Sequence, residues 1–186
     1  MFDISNKKIL LTGGASGIGK SLAEGLSKAD ALVTCLDIKK PKNYKGVDHI
    51  KCDLNQISSI DLALKQYIKM NKCPDVLINC AGITIPSESN KYKQTDWDRT
   101  LNINLTSIFH ICKRIGDKMI ACEIQGSIIN YTSIGAEQGF PNNPAYAATK
   151  GAVKQLSKAL AVEWGQYGIR INNIVPGYTA TPMNIK

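Results

Sequence analysis

Short apolar runs alternate with helix-like segments along most of the chain, and this alternation strongly limits the possible folds. Strands are predicted at residues 8–12, 31–37, 48–53, 75–79, 127–131 and 169–175. Helices are predicted at residues 17–29, 57–71, 95–121 and 143–167. Strands that are apolar almost throughout have both faces buried, as in a parallel sheet covered by helices. The predicted fold class is therefore α/β, a doubly wound parallel sheet in a three-layer αβα arrangement.

Two local signals refine this arrangement. The stretch from Asp37 to Asp48 leaves little room for a crossover helix, so this connection is predicted to be a loop or a single turn. Thr95 is followed three residues later by Asp98, and we predict that Thr95 caps the N terminus of the long helix at 95–121.

Length and composition indicate one globular domain spanning residues 1–186, with 44% hydrophobic and 20% charged residues. No apolar run reaches the length of a membrane span, and the N terminus lacks the pattern of a signal peptide. None of the six cysteines forms a CxxC pair, and His49 and His110 are the two histidines, so no metal site is expected. We expect reduced cysteines, a cytoplasmic protein and no membrane partner.

The net charge of +8 raises the question of nucleic-acid binding. The lysines are spread along the chain, and aromatic residues make up 6% of it. One local cluster, formed by Lys39, Lys40, Lys42 and Lys45, lies in a predicted surface loop. Nucleic acid is therefore not expected as a partner.

A glycine-rich turn, with glycines at positions 13, 14, 17 and 19, joins the first strand to the first helix. Glycines here let the backbone approach a pyrophosphate, and the helix N terminus supplies free N–H groups. Asp37 ends the second strand eighteen residues after Gly19, where dinucleotide-binding folds place the carboxylate that binds the adenosine ribose. A dinucleotide cofactor is predicted; an ordinary turn and a solvated strand end are the alternative.

Asp37 also favours NAD over NADP. A carboxylate accepts hydrogen bonds from ribose hydroxyls but repels a 2′-phosphate. Neither Ser16 in the turn nor Ile38 after the strand supplies a compensating positive charge. Lys39 or Lys40 could still fold back toward a phosphate, which keeps NADP open as the less favoured cofactor.

Tyr146 and Lys150 stand four residues apart in a predicted helix, so both side chains should share one face. An ammonium about 4 Å from the phenol, at an effective dielectric constant of about 20, contributes roughly 4 kcal/mol. The tyrosine pKa would then fall by about 3 units to near 7, the range useful for acid–base catalysis. Such a pair is also common on solvated helix faces, which is the alternative interpretation.

Several motifs together resemble the short-chain dehydrogenase/reductase family. They are Thr12-Gly13-xxx-Gly17-x-Gly19, Asn79-Cys80-Ala81-Gly82, Asn104, Ser133, Tyr146-xxx-Lys150 and Pro176-Gly177. The glycine spacing is that of the compact single-domain branch, and Ser133 precedes Tyr146 by the family's thirteen residues. The resemblance runs from about Lys7 to the last residue. It implies a Rossmann fold, of which six strands are visible and the usual seventh is missing.

The resemblance also implies site residues. Tyr146 would be the acid–base, Lys150 would lower its pKa and bind the nicotinamide ribose, Ser133 would hold the substrate oxygen, and Asn104 would position a water. The implied cofactor contacts are Gly13, Ser16, Gly17, Ile18, Gly19, Asp37, Asp53, Leu54, Asn79, Ala81, Gly82, Tyr146, Lys150, Pro176, Gly177, Thr179 and Thr181. Taken singly, Asn104 could be an interior asparagine, Ser133 a strand-end cap, and Pro176-Gly177 a plain turn.

The implied function is an NAD-dependent oxidoreductase that interconverts a secondary alcohol and a ketone. The segment from Ala161 to Thr181 looks like gluconate-type dehydrogenases, which suggests a sugar acid or a polyol as the small-molecule substrate. One alternative is a 3-oxoacyl-carrier-protein reductase using NADPH, and another is a non-catalytic dinucleotide-binding module. A homodimer or homotetramer, paired through helices 95–121 and 143–167, is expected. Family members usually continue with a substrate lid, so we expect the chain to be truncated before it.

Overall fold

A computed structural model describes residues 3–40 and 46–183. Within these ranges, six parallel strands form one sheet in the order β3-β2-β1-β4-β5-β6. The strands are β1 (Lys8–Thr12), β2 (Leu32–Asp37), β3 (Val47–Lys51), β4 (Val76–Asn79), β5 (Ser127–Tyr131) and β6 (Arg170–Ile174). The predicted α/β class and parallel sheet are confirmed, and the predicted strand ends are at most two residues off.

Five α-helices are found in the described part of the chain: α1 (Gly17–Lys28), α2 (Ile57–Asn71), α3 (Gln94–Leu101), α4 (Ser107–Ala121) and α5 (Pro144–Trp164). Residues 38–40 and 46, the described part of the β2–β3 connection, lie in no helix, as predicted. Lys39 and Lys40 are exposed there, whereas Lys42 and Lys45 of the predicted lysine cluster lie outside the described residues. No helix in the described ranges has the length and apolar character to cross a membrane.

The predicted continuous helix at 95–121 is wrong in two respects. It is interrupted by a π-helical turn at Asn102–Thr106, where the N–H of Ser107 donates to Asn102 O, five residues back. The helix also begins before Thr95, because Lys93 has extended backbone angles and its carbonyl already accepts the N–H of Asp96. A π-turn accommodates one extra residue, and such turns are frequent at functional sites.

The hydrophobic core lies on both faces of the sheet because neighbouring strand residues point in opposite directions. Leu10 of β1 faces α2, α4 and α5, where it joins the larger buried cluster. Ile9 and Leu11 face α1 and pack in the smaller cluster. The helices therefore form the outer layers of a three-layer arrangement.

The order of the strands determines where a ligand can bind. From β1 the chain proceeds outward to β2 and β3, then returns to β4 on the other side of β1. The connections that leave β1 and β4 diverge above the sheet and open a crevice at the carboxyl ends of these strands. The glycine-rich turn after β1 is located at this crevice.

Candidate active site

A cavity of about 550 Å³ lies in this crevice. Its wall includes nearly all residues that the sequence marked as catalytic or cofactor-binding: Gly13, Ser16, Gly17, Ile18, Gly19, Asp37, Asp53, Leu54, Ala81, Gly82, Ser133, Tyr146, Lys150, Pro176, Gly177, Thr179 and Thr181. Asn79 and Asn104 are fully buried and lie behind the wall. Positions spread over the whole chain thus converge on one concave site, as expected of a ligand pocket.

The glycine-rich turn exposes backbone atoms to the cavity because its glycines have no side chains. Gly13 has φ +77°, and a Cβ on it would lie 2.7 Å from Ala81 Cα. The N–H of Gly13 donates to Leu36 O (3.0 Å), which holds the turn against β2. Helix α1 begins at Gly17, and its first N–H groups have no acceptor within the helix. The turn therefore offers an anion a helix N terminus without side chains in the way.

Asp37 is held at the carboxyl end of β2. Its Oδ2 accepts the backbone N–H of Ala15 and its Oδ1 accepts that of Lys39, both at 3.0 Å. Asp53 and Leu54, after β3, line the same end of the cavity. A carboxylate has lone pairs left after two such bonds, so Asp37 can still accept from a ligand hydroxyl.

Ser133 and Tyr146 meet at the other end of the cavity. Ser133 follows β5 and its Oγ accepts the N–H of Gly135 (3.0 Å) as the cap of a 3₁₀ turn, Ile134–Ala136. Tyr146 lies in the first turn of α5, which starts with Pro144 after Asn143. The Ser133 hydroxyl faces the Tyr146 phenol, and its interaction works to lower the phenol pKa. The structure thus joins two residues thirteen positions apart in the sequence.

The predicted drop of the Tyr146 pKa to near 7 is wrong for this structure. Burial raises the pKa of the phenol above its usual value of 10.0, and the interaction with Ser133 only partly opposes this. The Lys150 ammonium lies over the ring face, 5.5 Å from its centroid, and donates to Tyr131 O (2.6 Å). The spacing predicted the shared face correctly, but it could not show that burial dominates the pKa of the phenol.

Lys150 itself is almost completely buried. Burial lowers its pKa from 10.5 to about 8, and only the nearby Cys80 acts in the opposite direction. A cation in this position costs stability because its partner is a neutral carbonyl rather than a carboxylate. A buried lysine that lowers the stability of the fold but places a positive charge beside a tyrosine is typical of functional sites.

The cost of burying Lys150 gives a testable pH dependence. The unfolded chain keeps this proton up to about pH 10.5, whereas the folded protein releases it near pH 8. Between these values the unfolded state binds more protons, so stability increases with pH. The values differ by about 2.5, so the free energy of unfolding should rise by about 3 kcal/mol through this group.

Other groups titrate in the same pH range, so the contribution of Lys150 must be measured as the difference in stability between wild type and a variant without this lysine. Urea unfolding of wild type and Lys150→Met at about pH 7 and about pH 10 isolates the contribution of Lys150. We expect the stability of wild type minus that of Lys150→Met to increase with pH. The same difference taken with Lys158→Met, an exposed lysine of α5, should stay nearly constant. A pH-independent difference for Lys150→Met would contradict the assignment.

The side chain of Asn104 forms hydrogen bonds mainly with the protein backbone. Its Oδ1 accepts the N–H of Ile83 (2.9 Å), and its Nδ2 donates to Ile83 O (2.8 Å) and contacts Thr149 Oγ1 (3.4 Å). The side-chain amide thus anchors the loop after β4, and Oδ1 keeps a second lone pair. The predicted role of Asn104 in positioning a water stays a prediction. A Cβ on Gly82 would contact both Asn104 and Lys150, so the amide positions the loop after β4 beside this lysine.

Asn79 belongs to a second buried group of polar side chains. Its Nδ2 donates to Asn130 Oδ1 (2.8 Å), and Asn130 Nδ2 donates to Ser157 Oγ (2.8 Å). Ser157 Oγ in turn donates to Asn173 Oδ1 (2.7 Å). These bonds join β4, β5 and β6 to α5, the helix that carries Tyr146 and Lys150. The side chain of Asn79 therefore helps to position that helix, and its predicted contact with the adenosine stays a prediction.

Several cavity residues escaped the sequence analysis. They are Leu36, Ile38, Cys52, Cys80, Ile83, Thr84, Arg99, Ile103, Tyr131, Thr132, Ile134, Phe140, Asn143, Tyr178, Pro182 and Met183. Two of them, Phe140 and Tyr178, pack edge to face with centroids 6.5 Å apart. Most of these residues lie in loops or beside motifs, and only tertiary packing brings them to the cavity.

Known proteins resemble this chain in both sequence and fold. The family model for short chain dehydrogenase matches residues 7–186. Gluconate 5-dehydrogenase of Gluconobacter oxydans is 31% identical over 98% of this chain and 75% of its own length. An NAD-dependent glycerol dehydrogenase of Listeria innocua is 31% identical over 100% of this chain and 75% of its own length.

A solved structure agrees with these matches. Gluconate 5-dehydrogenase from Burkholderia cenocepacia, in complex with NADP and tartrate, superposes with a TM-score of 0.89. It is 31% identical, and the match covers 97% of this chain and 74% of that one. The motifs, the sheet order and these matches agree, and the chain belongs to the short-chain dehydrogenase family.

Proposed function

We propose that this protein is an NAD-dependent oxidoreductase that interconverts a secondary alcohol and a ketone, with a polyol or a sugar acid as substrate. The observation that carries the proposal is one cavity that has Ser133, Tyr146 and Lys150 at one end and Asp37 at the other. The first end of the cavity has groups that can transfer a proton, and the other end has a carboxylate that can bind an adenosine ribose. The described residues share one sheet, which supports a single catalytic domain over residues 1–186.

The residues around the cavity fit a dinucleotide. The backbone at Gly13 and Gly17 leaves the space beside α1 that a pyrophosphate needs. Asp53 and Leu54 would hold the adenine, and Pro176, Gly177, Thr179 and Thr181 the nicotinamide end. When bound, the nicotinamide supplies the donor or acceptor of a hydride.

The protein's own groups would manage the proton. Because burial raises the Tyr146 pKa, the phenol is neutral at pH 7 and can donate a proton to a carbonyl oxygen. The Ser133 hydroxyl would hydrogen-bond the same oxygen and stabilise the negative charge that develops on it. The Lys150 cation over the ring would then stabilise the phenolate left behind. This arrangement favours ketone reduction at neutral pH.

The choice of NAD rests on Asp37. The backbone bonds from Ala15 and Lys39 fix the carboxylate at the cavity, and a 2′-phosphate there would meet its negative charge. The glycerol dehydrogenase relative is NAD-dependent, which supports the same choice, whereas the gluconate 5-dehydrogenase structure holds NADP.

Replacing Asp37 by serine should shift the preference toward NADPH. We expect wild type to have kcat/KM at least about tenfold higher with NADH than with NADPH, since losing like-charge repulsion changes binding by about 1–3 kcal/mol. In Asp37→Ser this ratio should fall or invert, measured with one ketone substrate. Asp48→Ser, on an exposed residue of β3, is the control. A wild-type preference for NADPH would reject the choice of NAD. A preference for NADPH together with faster turnover of a 3-oxoacyl substrate than of any ketose would favour the 3-oxoacyl-carrier-protein reductase alternative.

The substrate class rests on the relatives. The gluconate and glycerol dehydrogenases oxidise hydroxyl-rich substrates, so a panel of ketoses, keto sugar acids and polyols should contain the best substrate. If the protein bound NAD tightly but turned over neither this panel nor an acyl ketone, the non-catalytic dinucleotide-binding module would be favoured instead.

The protein is also proposed to form a homodimer or homotetramer through α3–α4 and α5. Phe109 of α4 is 47% exposed and Val162 of α5 is 86% exposed, both large apolar side chains on these helices. Light scattering after size exclusion should give a mass above that of one chain, and a monomer alone would contradict this. The cysteines of the structure are free thiols, in keeping with a cytoplasmic location.

A further inference from the structure

Two cysteines meet where α2 and α4 end. Cys73 follows the last residue of α2 by two positions, and Cys122 directly follows the last residue of α4. Strands β4 and β5, which follow the two cysteines, start side by side, with Val76 paired to Ser127. Although 49 residues apart in the sequence, the two side chains interact, since Cys122 raises the pKa of the Cys73 thiol. Both thiols are free, and neither lines the cavity with Tyr146.

The fold holds both cysteines in place. Helices α2 and α4 lie side by side, and residues of both, Ile68 and Ala121 among them, line one crevice. Each cysteine adjoins a residue with positive φ that reverses the chain, Lys72 at +69° and Glu123 at +54°. The N–H of Lys72 donates to Ile68 O (2.9 Å) and that of Cys122 to Lys118 O (3.0 Å), so both turns are anchored to their helices.

The two thiols differ in access and surroundings. Cys122 is exposed, whereas Cys73 is 6% exposed and its Sγ donates to Pro74 O (3.6 Å). Burial raises the pKa of Cys73 to about 11; Cys122 and Asp75 add to this, and Lys118 opposes it. An oxidant from solvent therefore meets Cys122 first, and Cys73 is the buried second thiol beside it.

We propose that Cys73 and Cys122 form a thiol-oxidation site in which a peroxide produces an intramolecular disulfide. The Cys122 thiolate attacks one peroxide oxygen, the O–O bond breaks, and a sulfenic acid and one water result. The Cys73 sulfur then attacks the Cys122 sulfur, the S–O bond breaks, and a second water leaves as the S–S bond forms. Two thiols lose two hydrogens and two electrons, and hydrogen peroxide is reduced to two waters.

The disulfide would link the two helices away from the reaction. Cys73 precedes β4 and Cys122 precedes β5, so both lie at the amino ends of the strands. The cavity lies at the carboxyl ends. Closing a loop of this length restricts the unfolded chain, so oxidation should raise the melting temperature by about 10 °C. Turnover should change little.

The test treats the purified chain with hydrogen peroxide and maps its peptides without reduction. A peptide pair joined through Cys73 and Cys122, with the mass loss of two hydrogens, is expected, together with the rise in melting temperature. Dithiothreitol should reverse both. Cys122→Ser changes an exposed residue and should fold normally, and it should show neither effect. Cys52→Ser, a substitution outside the pair, should keep both.

Three outcomes would overturn the proposal. They are Cys122 oxidised to a sulfinic acid while Cys73 stays a free thiol, chains joined to each other through Cys122, and an unmodified protein under conditions that oxidise free cysteine. Loss of turnover without the joined peptides would also count against it, because it would place the oxidation elsewhere.

Discussion

Tyr146→Phe is expected to lower kcat by about 10²–10⁴-fold while the affinity for NAD changes less than about threefold. The substitution keeps the ring, which packs under the Lys150 ammonium, and removes only the hydroxyl that Ser133 contacts. Binding of the dinucleotide rests mainly on the glycine-rich turn and Asp37, which the substitution leaves in place. Steady-state rates and an NAD titration by fluorescence or calorimetry measure the two effects separately.

Tyr167→Phe is the matched control, because this tyrosine is exposed in the 3₁₀ turn after α5 and lies outside the cavity. It should turn over like wild type. Unchanged kcat in Tyr146→Phe would remove the proposed acid–base role, even if the protein proved to be a dehydrogenase. A loss of NAD affinity equal to the loss of rate would mean that the substitution disturbs binding rather than proton transfer.

The fold could be predicted from local patterns because the parallel sheet imposes them on the chain. Strands β1 and β5 are buried on both sides, so their apolar runs mark their ends correctly. The glycine spacing reflects a steric need, a turn with positive φ at Gly13 and Gly17. Such signals lie within a few residues of each other and are readable in one sequence.

The features that were missed depend on distant residues. The break in the helix at Asn102–Thr106 accompanies the bonds of Asn104 to Ile83, a residue 21 positions away. Asn79 turns away from the cavity to Asn130, 51 positions away. The spacing of Tyr146 and Lys150 set their shared face but not their electrostatics, because the Tyr131 carbonyl and the burial of both groups decide these.

The features that the sequence did not predict cluster in one region. Asn104, Thr149 and Lys150 lie together behind the loop after β4, where a lysine is buried and a helix contains a π-turn. The polar group around Asn130 and Ser157 holds α5, the helix that carries Lys150. The residues that we propose for the proton chemistry are therefore supported by side chains that do not line the cavity.

Gly19→Ala is expected to lower the free energy of unfolding by about 4 kcal/mol and the affinity for NAD by at least about tenfold. A Cβ at this position would overlap Gly13 O and lie 2.9 Å from the Gly13 carbonyl carbon. The backbone of Gly13 cannot retreat, because its N–H is bonded to Leu36 O and Ala81 leaves no room for even a Cβ beside it. The clash must therefore displace the turn whose N–H groups would bind the pyrophosphate.

Gly25→Ala, on the exposed side of the same helix, is the control. A Cβ on Gly25 meets no atom within 4 Å, so alanine should stabilise α1 by about 1 kcal/mol and leave NAD binding unchanged. Urea unfolding and NAD titration of both variants separate the effect of a methyl group in a helix from the effect of a methyl group in the turn. If Gly19→Ala behaved like Gly25→Ala, the close approach of Gly19 to Gly13 would not be what shapes the pyrophosphate site.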